Sequence, residues 1–388
     1  LAFFYGGMDR SRNVLNMLMM NFWCLITIPV LWVAVGYTLA QTPFENSVIG
    51  GFDNAFLKGI SITGEDGGFG LLVVIFLVMF AVITPALISG AVADRMKFSA
   101  WAIFAPVWML LVFAPVFKWV YGGWLGVRGS LDFAGGTAIH VNAGIAALVA
   151  VLILGKRKGW PKEGHPPHSM PLVMIGTGIL WFGWFGFNAG SALGANGQAV
   201  QAFMNTFLAA AAAGLAWAVV EKLKDGHFTN LGAASGIVAG LVAITPACGY
   251  VSSMSSIWIG LAAGVICAFA VHLKFKAGYD DALDVVGVHF VGGLVGSLMI
   301  GLFADSAYFG NEHMDGLFYG GGLELLLEQA IANGVTIVYS AIVTALILLA
   351  IKATIGIRVS EEAEQTGLDI SEHAETAYNS GEVTMGRA

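Results

Sequence analysis

Long apolar stretches, separated by short polar or glycine-rich segments, run along almost the whole chain. Each holds the roughly 20 mostly apolar residues that an α-helix needs to cross a bilayer. Residues 1–7 form a further apolar stub, and because the chain opens with Leu1 rather than Met, we expect a truncated first helix there. With that stub the pattern predicts eleven transmembrane helices. The ten full spans are predicted at residues 14–39, 70–92, 98–120, 137–154, 171–193, 200–220, 230–247, 256–274, 284–303 and 323–355.

The composition strengthens the membrane assignment. Hydrophobic residues make up 57% of the 388 residues and charged residues 11%, which is outside the range of soluble globular domains. Glycine supplies 52 residues, about twice its usual share, and small residues let transmembrane helices approach closely. We therefore expect an all-α polytopic membrane protein with tightly packed helices.

The positions of Lys and Arg predict the orientation, because short cytoplasmic loops are enriched in basic residues. The opposite loops hold only Lys58, Lys118 and Arg128, with the acidic residues Glu45, Asp53, Glu65, Asp66, Glu312 and Asp315. The N-terminus is therefore predicted outside and the C-terminus in the cytoplasm. No basic run indicates a nucleic-acid partner. The other fifteen of the 18 basic residues fall in the alternate loops, at the span ends on that same side, or after the last span: Arg10, Arg12, Arg95, Lys97, Lys156, Arg157, Lys158, Lys162, Lys222, Lys224, Lys274, Lys276, Lys352, Arg358 and Arg387.

Two histidines stand inside predicted spans in similar surroundings, His140 in IHVNAGIAALV and His289 in VHFVGGLVGSL. An imidazole is costly in hydrocarbon, so each ring should face a protein interior or a pathway for a proton or ammonia. The bland alternative is a pair of packing residues bonded to backbone carbonyls. With the stub counted as the first span, His140 lies in the fifth span and His289 in the tenth. Five is an odd number of crossings, so the second copy of a five-helix repeat would be inverted in the membrane. Inverted repeats place their site near the midplane.

The remaining segments hold little chemistry of their own. A transmembrane domain is predicted over residues 1–355 and a polar, acidic cytoplasmic tail over residues 356–388. The tail is either disordered or docked through Ile357, Val359, Leu368 and Ile370.

We expect no enzyme activity and no cofactor, because no P-loop, dinucleotide fingerprint or paired nucleophile and base is present. Three scattered cysteines give no disulfide or metal framework. His165 and His168 have a metal-like spacing, but two ligands in a Pro-rich loop are weak evidence.

Several long motifs occur in one order along nearly the whole chain. The sequence resembles the ammonium transporters of the Amt/Mep/Rh family, and the Amt branch in particular. The matching stretches are FFYGGMDRSRNVL (3–15), TPALISGAVADR (84–95), LDFAGGTAIHVNA (131–143), GWFGFNAGSA (183–192), TPACGY (245–250), DVVGVHFVGG (284–293) and RVSEEAEQTGLDISEHAETAY (358–378).

The resemblance implies roles for particular residues along a pore. His140 and His289 match the family's twin histidines, whose neutral rings share a hydrogen bond and can relay a proton. Phe187 and Ser191, one helical turn apart, match a residue of the gate and a residue that binds the entering cation. Phe80 matches the partner gate ring and also belongs to the recruitment site.

The resemblance also implies supporting positions at the two pore mouths. Tyr121 occupies the outer position where the family usually has tryptophan, so cation recognition by a ring should persist with altered affinity. Asp132 matches an aspartate near the recruitment site that shapes the vestibule and favours a cation there. Phe76 lies one turn from the gate, and Asp284 is expected to orient backbone or loop contacts near the cytoplasmic end of its span.

The mechanism that follows from the resemblance is transport of ammonium. NH4+ would be collected outside and deprotonated, and NH3 would cross with a relayed proton. The resemblance further implies a homotrimer in the lipid bilayer of a prokaryotic inner membrane, and a PII-type signal protein at the cytoplasmic face and tail. The competing interpretations are an ammonium sensor or receptor and a neutral NH3 channel of the Rh type.

Overall fold

The computed structural model describes residues 1–41, 48–63, 68–310 and 314–378. Glu45, Glu65, Asp66, Glu312 and Arg387 of the charge pattern lie outside these ranges. Within them, extended segments pair only as two isolated bridges, Met96 with Arg358 and Val251 with Ala304. The predicted all-α fold is confirmed.

The helices follow the predicted apolar stretches closely. A short helix α1 (Ala2–Met8) precedes ten longer ones, and nine of those, within the described ranges, are long and apolar enough to cross a membrane. The exception, α8, has 15 residues. The number of membrane crossings and the orientation stay predictions. The longer helices are α2 (Val14–Gln41), α3 (Phe69–Val92), α4 (Phe98–Arg128), α5 (Gly136–Leu154), α6 (Met170–Gly190), α7 (Gly197–Asp225), α8 (Asn230–Ile244), α9 (Ser253–Ala277), α10 (Val286–Phe303) and α11 (Glu324–Thr354).

Helices α5 and α10 cross at the centre of the bundle. A Cβ added to Gly144 would lie 2.5 Å from the backbone nitrogen of Phe290, so only glycine allows this approach. On the other helix, a Cβ at Gly293 would lie 3.0 Å from the Cβ of His140. The two glycines that follow the histidines by four residues thus let the two helices meet.

Both central helices begin with a π-helical turn, Gly136–Val141 in α5 and Val286–Phe290 in α10. Such turns often occur at functional sites. His140 and His289 each lie inside one of them. The start of α10 lies beside the end of α5, because Asp280 bonds Arg157. The two helices therefore start at opposite ends of the bundle, as an inverted repeat requires.

A buried ionic cluster joins several helix ends. Arg157, which follows α5, has a side chain 5% exposed and donates to Asp94 Oδ2 at 2.9 Å and Asp280 Oδ1 at 2.8 Å. Arg10 reaches the same oxygen of Asp94 at 2.9 Å. Burial alone would raise the pKa of Asp94, but the Asp9 side-chain hydrogen bond and the two guanidinium groups outweigh it and hold this pKa well below its usual range. The cluster ties the ends of α3 and α5 to the approach to α10.

Residues 356–378, called the tail here, pack against this same end of the bundle, which we call the tail end. The tail includes two short helices, α12 (Glu361–Thr366) and α13 (Leu368–His373). The Leu368 amide donates to Asn13 Oδ1 at 2.8 Å, and Asp369 accepts from the Asn16 amide at 2.8 Å. Of the four expected apolar anchors, Ile357, Val359 and Leu368 are buried.

The prediction of the fourth anchor, Ile370, was wrong. Ile370 is 45% exposed, because α13 presents Leu368 and Asp369 to α2 and turns Ile370 outward.

Candidate functional site

The two histidines lie side by side in the interior. His140 and His289 are each 2% exposed, and their rings lie edge to edge and nearly coplanar, with centroids 5.3 Å apart and an interplanar angle of 18°. Their Nδ1 atoms are 3.3 Å apart, which permits one hydrogen bond between a protonated and a bare nitrogen. Among the described residues, His140 Nε2 has no hydrogen-bond partner. The pair therefore combines a shared hydrogen bond with one unoccupied nitrogen.

An indole ring lies nearly parallel to the His140 ring. Trp184 of α6 stacks on His140 with centroids 5.4 Å apart and an angle of 16°. Its Nε1 donates to Thr245 Oγ1 at 2.7 Å, which fixes the ring. The histidine pair is thus held in a layer of flat rings.

Two phenyl rings continue this layer away from the tail end. Phe187 lies one turn from Trp184 on α6, with centroids 6.5 Å apart. Phe80 of α3 stacks on Phe187 at 4.1 Å. Phe76 meets the edge of Phe80 at 5.0 Å, and its ring fills the space beside Gly190. The predicted gate residues are therefore in direct contact.

Tyr121 lies at the end of this series of rings. Phe117 bridges it to the gate, with centroids 4.5 Å from Tyr121 and 6.2 Å from Phe80. At Tyr121 the backbone leaves helical geometry. Among the described residues, its hydroxyl is buried without a hydrogen-bond partner. Ser191 ends α6 and donates from Oγ to the Phe187 carbonyl at 3.0 Å, which leaves the oxygen lone pairs available as acceptors.

Asp132 holds the start of α5. Its carboxylate accepts the backbone N–H groups of Gly135, Gly136, Thr137 and Ala138 at 2.7–3.0 Å. A carboxylate has about four acceptor sites, so these bonds use all of them. Asp132 thus anchors the turn that carries His140.

Asp284 lies just before α10 and not inside it, which corrects the predicted span. Its φ is +64°, a left-handed backbone conformation that separates the preceding loop from the helix, which begins at Val286. The carboxylate pairs with Lys274 Nζ at 2.6 Å. Asp284 also borders a small cavity of about 130 Å³ with Glu221 and His272.

The described residues contain no group of three or more His, Cys, Asp or Glu side chains arranged for a metal ion. His168, one of the two loop histidines, bonds the Asp9 carbonyl and the Tyr378 hydroxyl, each at 2.9 Å. Its role in this structure is to fasten the tail.

Known proteins share this architecture and sequence. The sequence model of the Ammonium Transporter Family matches residues 1–378. The chain belongs to the Ammonium Transporter Family. An ammonium transporter of Aquifex aeolicus (strain VF5) is 51% identical over 98% of this chain and 89% of its own length.

Solved structures agree in fold. Candida albicans Mep2 has a TM-score of 0.84 at 33% identity and covers 93% of this chain and 82% of Mep2. A structure described as a Sensor Amt Protein has a TM-score of 0.87 at 27% identity and covers 96% of this chain and 93% of its own. The predicted membership of the ammonium transporter family is confirmed. The protein is a multi-pass membrane transporter of ammonium and not an enzyme.

Three residues of this family member were not singled out from its sequence as parts of the site. Trp184 could have been found, because Trp184, Phe187 and Ser191 share one face of a helix. Phe117 and Tyr5 carried no such signal, since each reaches the site only by helix packing. Trp119, two residues before Tyr121, is also buried, and its Nε1 donates to the Val48 carbonyl at 2.7 Å.

Proposed function

We propose that this transporter collects NH4+ at the end of the bundle opposite the tail, removes its proton and conducts NH3 past the histidine pair with a relayed proton. The observation that supports this most is the contact between His140 and His289 within a series of phenyl and indole rings. Two titratable rings at the end of an apolar path can accept a proton that the path itself cannot carry. NH3 is neutral and continues past the histidine pair without the cost of a charge.

The division of NH4+ into NH3 and a proton also explains selectivity. A charged group at membrane depth costs several kcal/mol unless it is paired or hydrated. The gate formed by Phe80 and Phe187 supplies neither pairing nor hydration. Both ions meet this barrier at the gate, but K+ has no proton to give to His140 and must carry its charge along the whole path.

Recruitment depends on aromatic rings and hydroxyl groups at the end of the bundle opposite the tail end, which we call the far end. A cation gains roughly 0.5–2 kcal/mol over an aromatic face, and Tyr121 and Phe80 offer such faces. The oxygens of Tyr121 and Ser191 can accept N–H hydrogen bonds. Asp132 favours a cation through its field and the shape it gives the vestibule, since its oxygens are already occupied. Phe76 supports the gate ring.

The proposed topology places the far end outside the cell and the tail end in the cytoplasm of a prokaryotic inner membrane. Residues 1–355 form the transport domain, and residues 356–388 form the cytoplasmic tail. We further propose a homotrimer with one pore per subunit and a PII-type signal protein that binds the cytoplasmic face. Asp284, paired with Lys274 near the start of α10, orients the chain at that face.

A sensor is the second candidate, since a structure described as a Sensor Amt Protein resembles this chain. The higher identity to the Aquifex aeolicus ammonium transporter favours transport. A neutral NH3 channel is the third candidate and differs in carrying no charge.

The test is the current across proteoliposomes after an ammonium pulse, with a K+ pulse as the control. We expect a current that saturates with ammonium and is absent with K+. Ammonia uptake without current would overturn the proposed mechanism in favour of a neutral channel. Binding without uptake would leave a sensor.

Replacing Tyr121 by phenylalanine should weaken the apparent affinity for ammonium at least roughly tenfold, since a hydrogen bond to a charged group contributes about 1.5–3 kcal/mol. The maximal current should change little, because the histidine pair is untouched. Titrating the current with ammonium measures both. Tyr339→Phe is the matched control, because Tyr339 donates to the Leu111 carbonyl at 2.7 Å and takes no part in the series of rings. Equal affinities in wild type and Tyr121→Phe would exclude the hydroxyl from recruitment.

A further inference from the structure

Tyr5 of α1 ends the series of rings at the side of His289. Its side chain is 1% exposed. The hydroxyl oxygen lies 3.4 Å from His289 Nε2 and 3.3 Å from the carbonyl oxygen of Leu87 in α3. One hydroxyl therefore faces both a histidine nitrogen, which can donate or accept, and a carbonyl, which can only accept.

Counting donors leaves two arrangements of hydrogens. In the first, Tyr5 donates to Leu87 and accepts from the Nε2–H of His289. His289 Nδ1 is then bare and accepts the Nδ1–H of His140, because a neutral imidazole has one N–H and one bare nitrogen. The Nε2 of His140 is left bare. In the second, Tyr5 donates to His289 Nε2, every bond in the pair reverses, and His140 Nε2 carries a hydrogen.

The first arrangement satisfies more groups. It makes three hydrogen bonds among these side chains and Leu87, whereas the second makes two. The second also leaves the Nε2–H of His140 buried without an acceptor, since among the described residues this nitrogen has no partner. Buried N–H groups without partners are rarer than acceptors without partners. The Leu87 carbonyl thus decides the direction of the whole chain of bonds.

We infer that Tyr5 is a positioning residue that keeps His140 Nε2 bare, so that His140 is the first proton acceptor. The inference rests on the proposed function. An N–H bond of NH4+ breaks, a bond to His140 Nε2 forms, and NH3 is released. The Nδ1 hydrogen of His140 then passes to Nδ1 of His289, which carries the positive charge with a hydrogen on each nitrogen.

Transfer of the Nε2 hydrogen of His289 to a water molecule from the tail end completes the step, and the Tyr5 hydroxyl then turns to donate to the bare Nε2. This leaves the pair in the second arrangement, with the same number of hydrogens as before. The pair must return to the first arrangement before another ammonium ion is accepted. The additional bond from Tyr5 to Leu87 favours that return.

The first test is Tyr5→Phe, which keeps the ring and removes only the hydroxyl. We expect the maximal ammonium current to fall roughly fivefold to tenfold with the half-saturating concentration unchanged, because the recruitment residues lie beyond the gate. The ratio of currents in H2O and D2O should rise, since rearrangement of hydrogens becomes limiting. Tyr339→Phe, which loses a comparable bond to a carbonyl, should match the wild type in both readouts.

The outcomes separate this inference from the function. A wild type without ammonium current overturns the proposed function. A normal wild type with Tyr5→Phe equal to it in maximal current and isotope ratio overturns the role of Tyr5.

A second measurement needs no Tyr5 variant. Nitrogen-15 NMR of histidine-labelled wild type in bilayers, assigned with His140→Asn and His289→Asn, should give His140 protonated at Nδ1 and His289 at Nε2. The opposite tautomers would overturn the inference even if the protein transports ammonium.

Discussion

Replacing His140 or His289 by alanine should reduce the ammonium-specific current at least about a hundredfold, the lower range of what a positioned acid or base contributes. Each substitution removes one ring of the hydrogen-bonded pair and breaks the proton relay at the end of the apolar path. NH4+ would then have to cross intact, at a cost of several kcal/mol. The measurement is the current on proteoliposomes, normalised to the amount of folded protein.

His227→Ala serves as the matched control, because His227 is exposed between α7 and α8. It should conduct as the wild type does. A leak of K+ in either pore variant would also support the proposal, since water entering the vacated space would carry any small cation. A normal, ammonium-specific current in both variants would refute the relay.

Replacing Arg157 by methionine should destabilise the protein by about 3–5 kcal/mol, the usual effect of removing one partner of a buried ion pair. Methionine keeps a comparable length but leaves Asp94 and Asp280 buried without their shared cation. Thermal unfolding of the purified protein, or the fraction recovered folded, measures the loss. Arg128→Met is the control, because Arg128 pairs with Glu328 while 46% exposed. Such surface pairs contribute about 0–1 kcal/mol.

The effect of Arg157→Met should depend on pH in a defined direction. Burial would raise the pKa of Asp280, but hydrogen bonds and the charges of Arg157 and Arg95 lower it overall. A carboxylate with a lowered folded pKa contributes stability above its unfolded pKa of about 3.9, and that contribution disappears as pH falls through the folded pKa. Without Arg157 the buried carboxyls accept protons at higher pH. The deficit should therefore be largest near neutral pH and shrink on acidification, and a deficit independent of pH would contradict this account.

The apolar pattern predicted the helices well because a bilayer demands a fixed length of apolar residues and internally satisfied backbone bonds. Its errors lie at helix ends. Asp284 was assigned to a span, but its left-handed backbone at φ +64° and its bond to Lys274 separate it from α10. Ile370 was expected to anchor the tail, but the direction of α13 turns it outward. The apolar character of a segment indicates neither the direction that the backbone takes at a helix end nor the side to which a side chain points.

The candidate site was predictable where its members share a motif. The similar surroundings of His140 and His289 indicated a pair, and spacing placed Phe187 and Ser191 on one face. Nothing local linked Tyr5 to His289, 284 positions away, or Arg157 to Asp280, 123 positions away. These contacts depend on where the helices cross.

The sequence by itself determined the class of protein, the approximate helices, the family and the residue types available for chemistry, because burial in lipid and local spacing act along the chain. The tertiary structure decided what those residues do to one another. Close approach at Gly144 brings the two π-helical turns together, and with them the two rings. Hydrogen-bond direction and buried charge balance depend on distances of about 3 Å between remote segments, and only helix packing sets those distances.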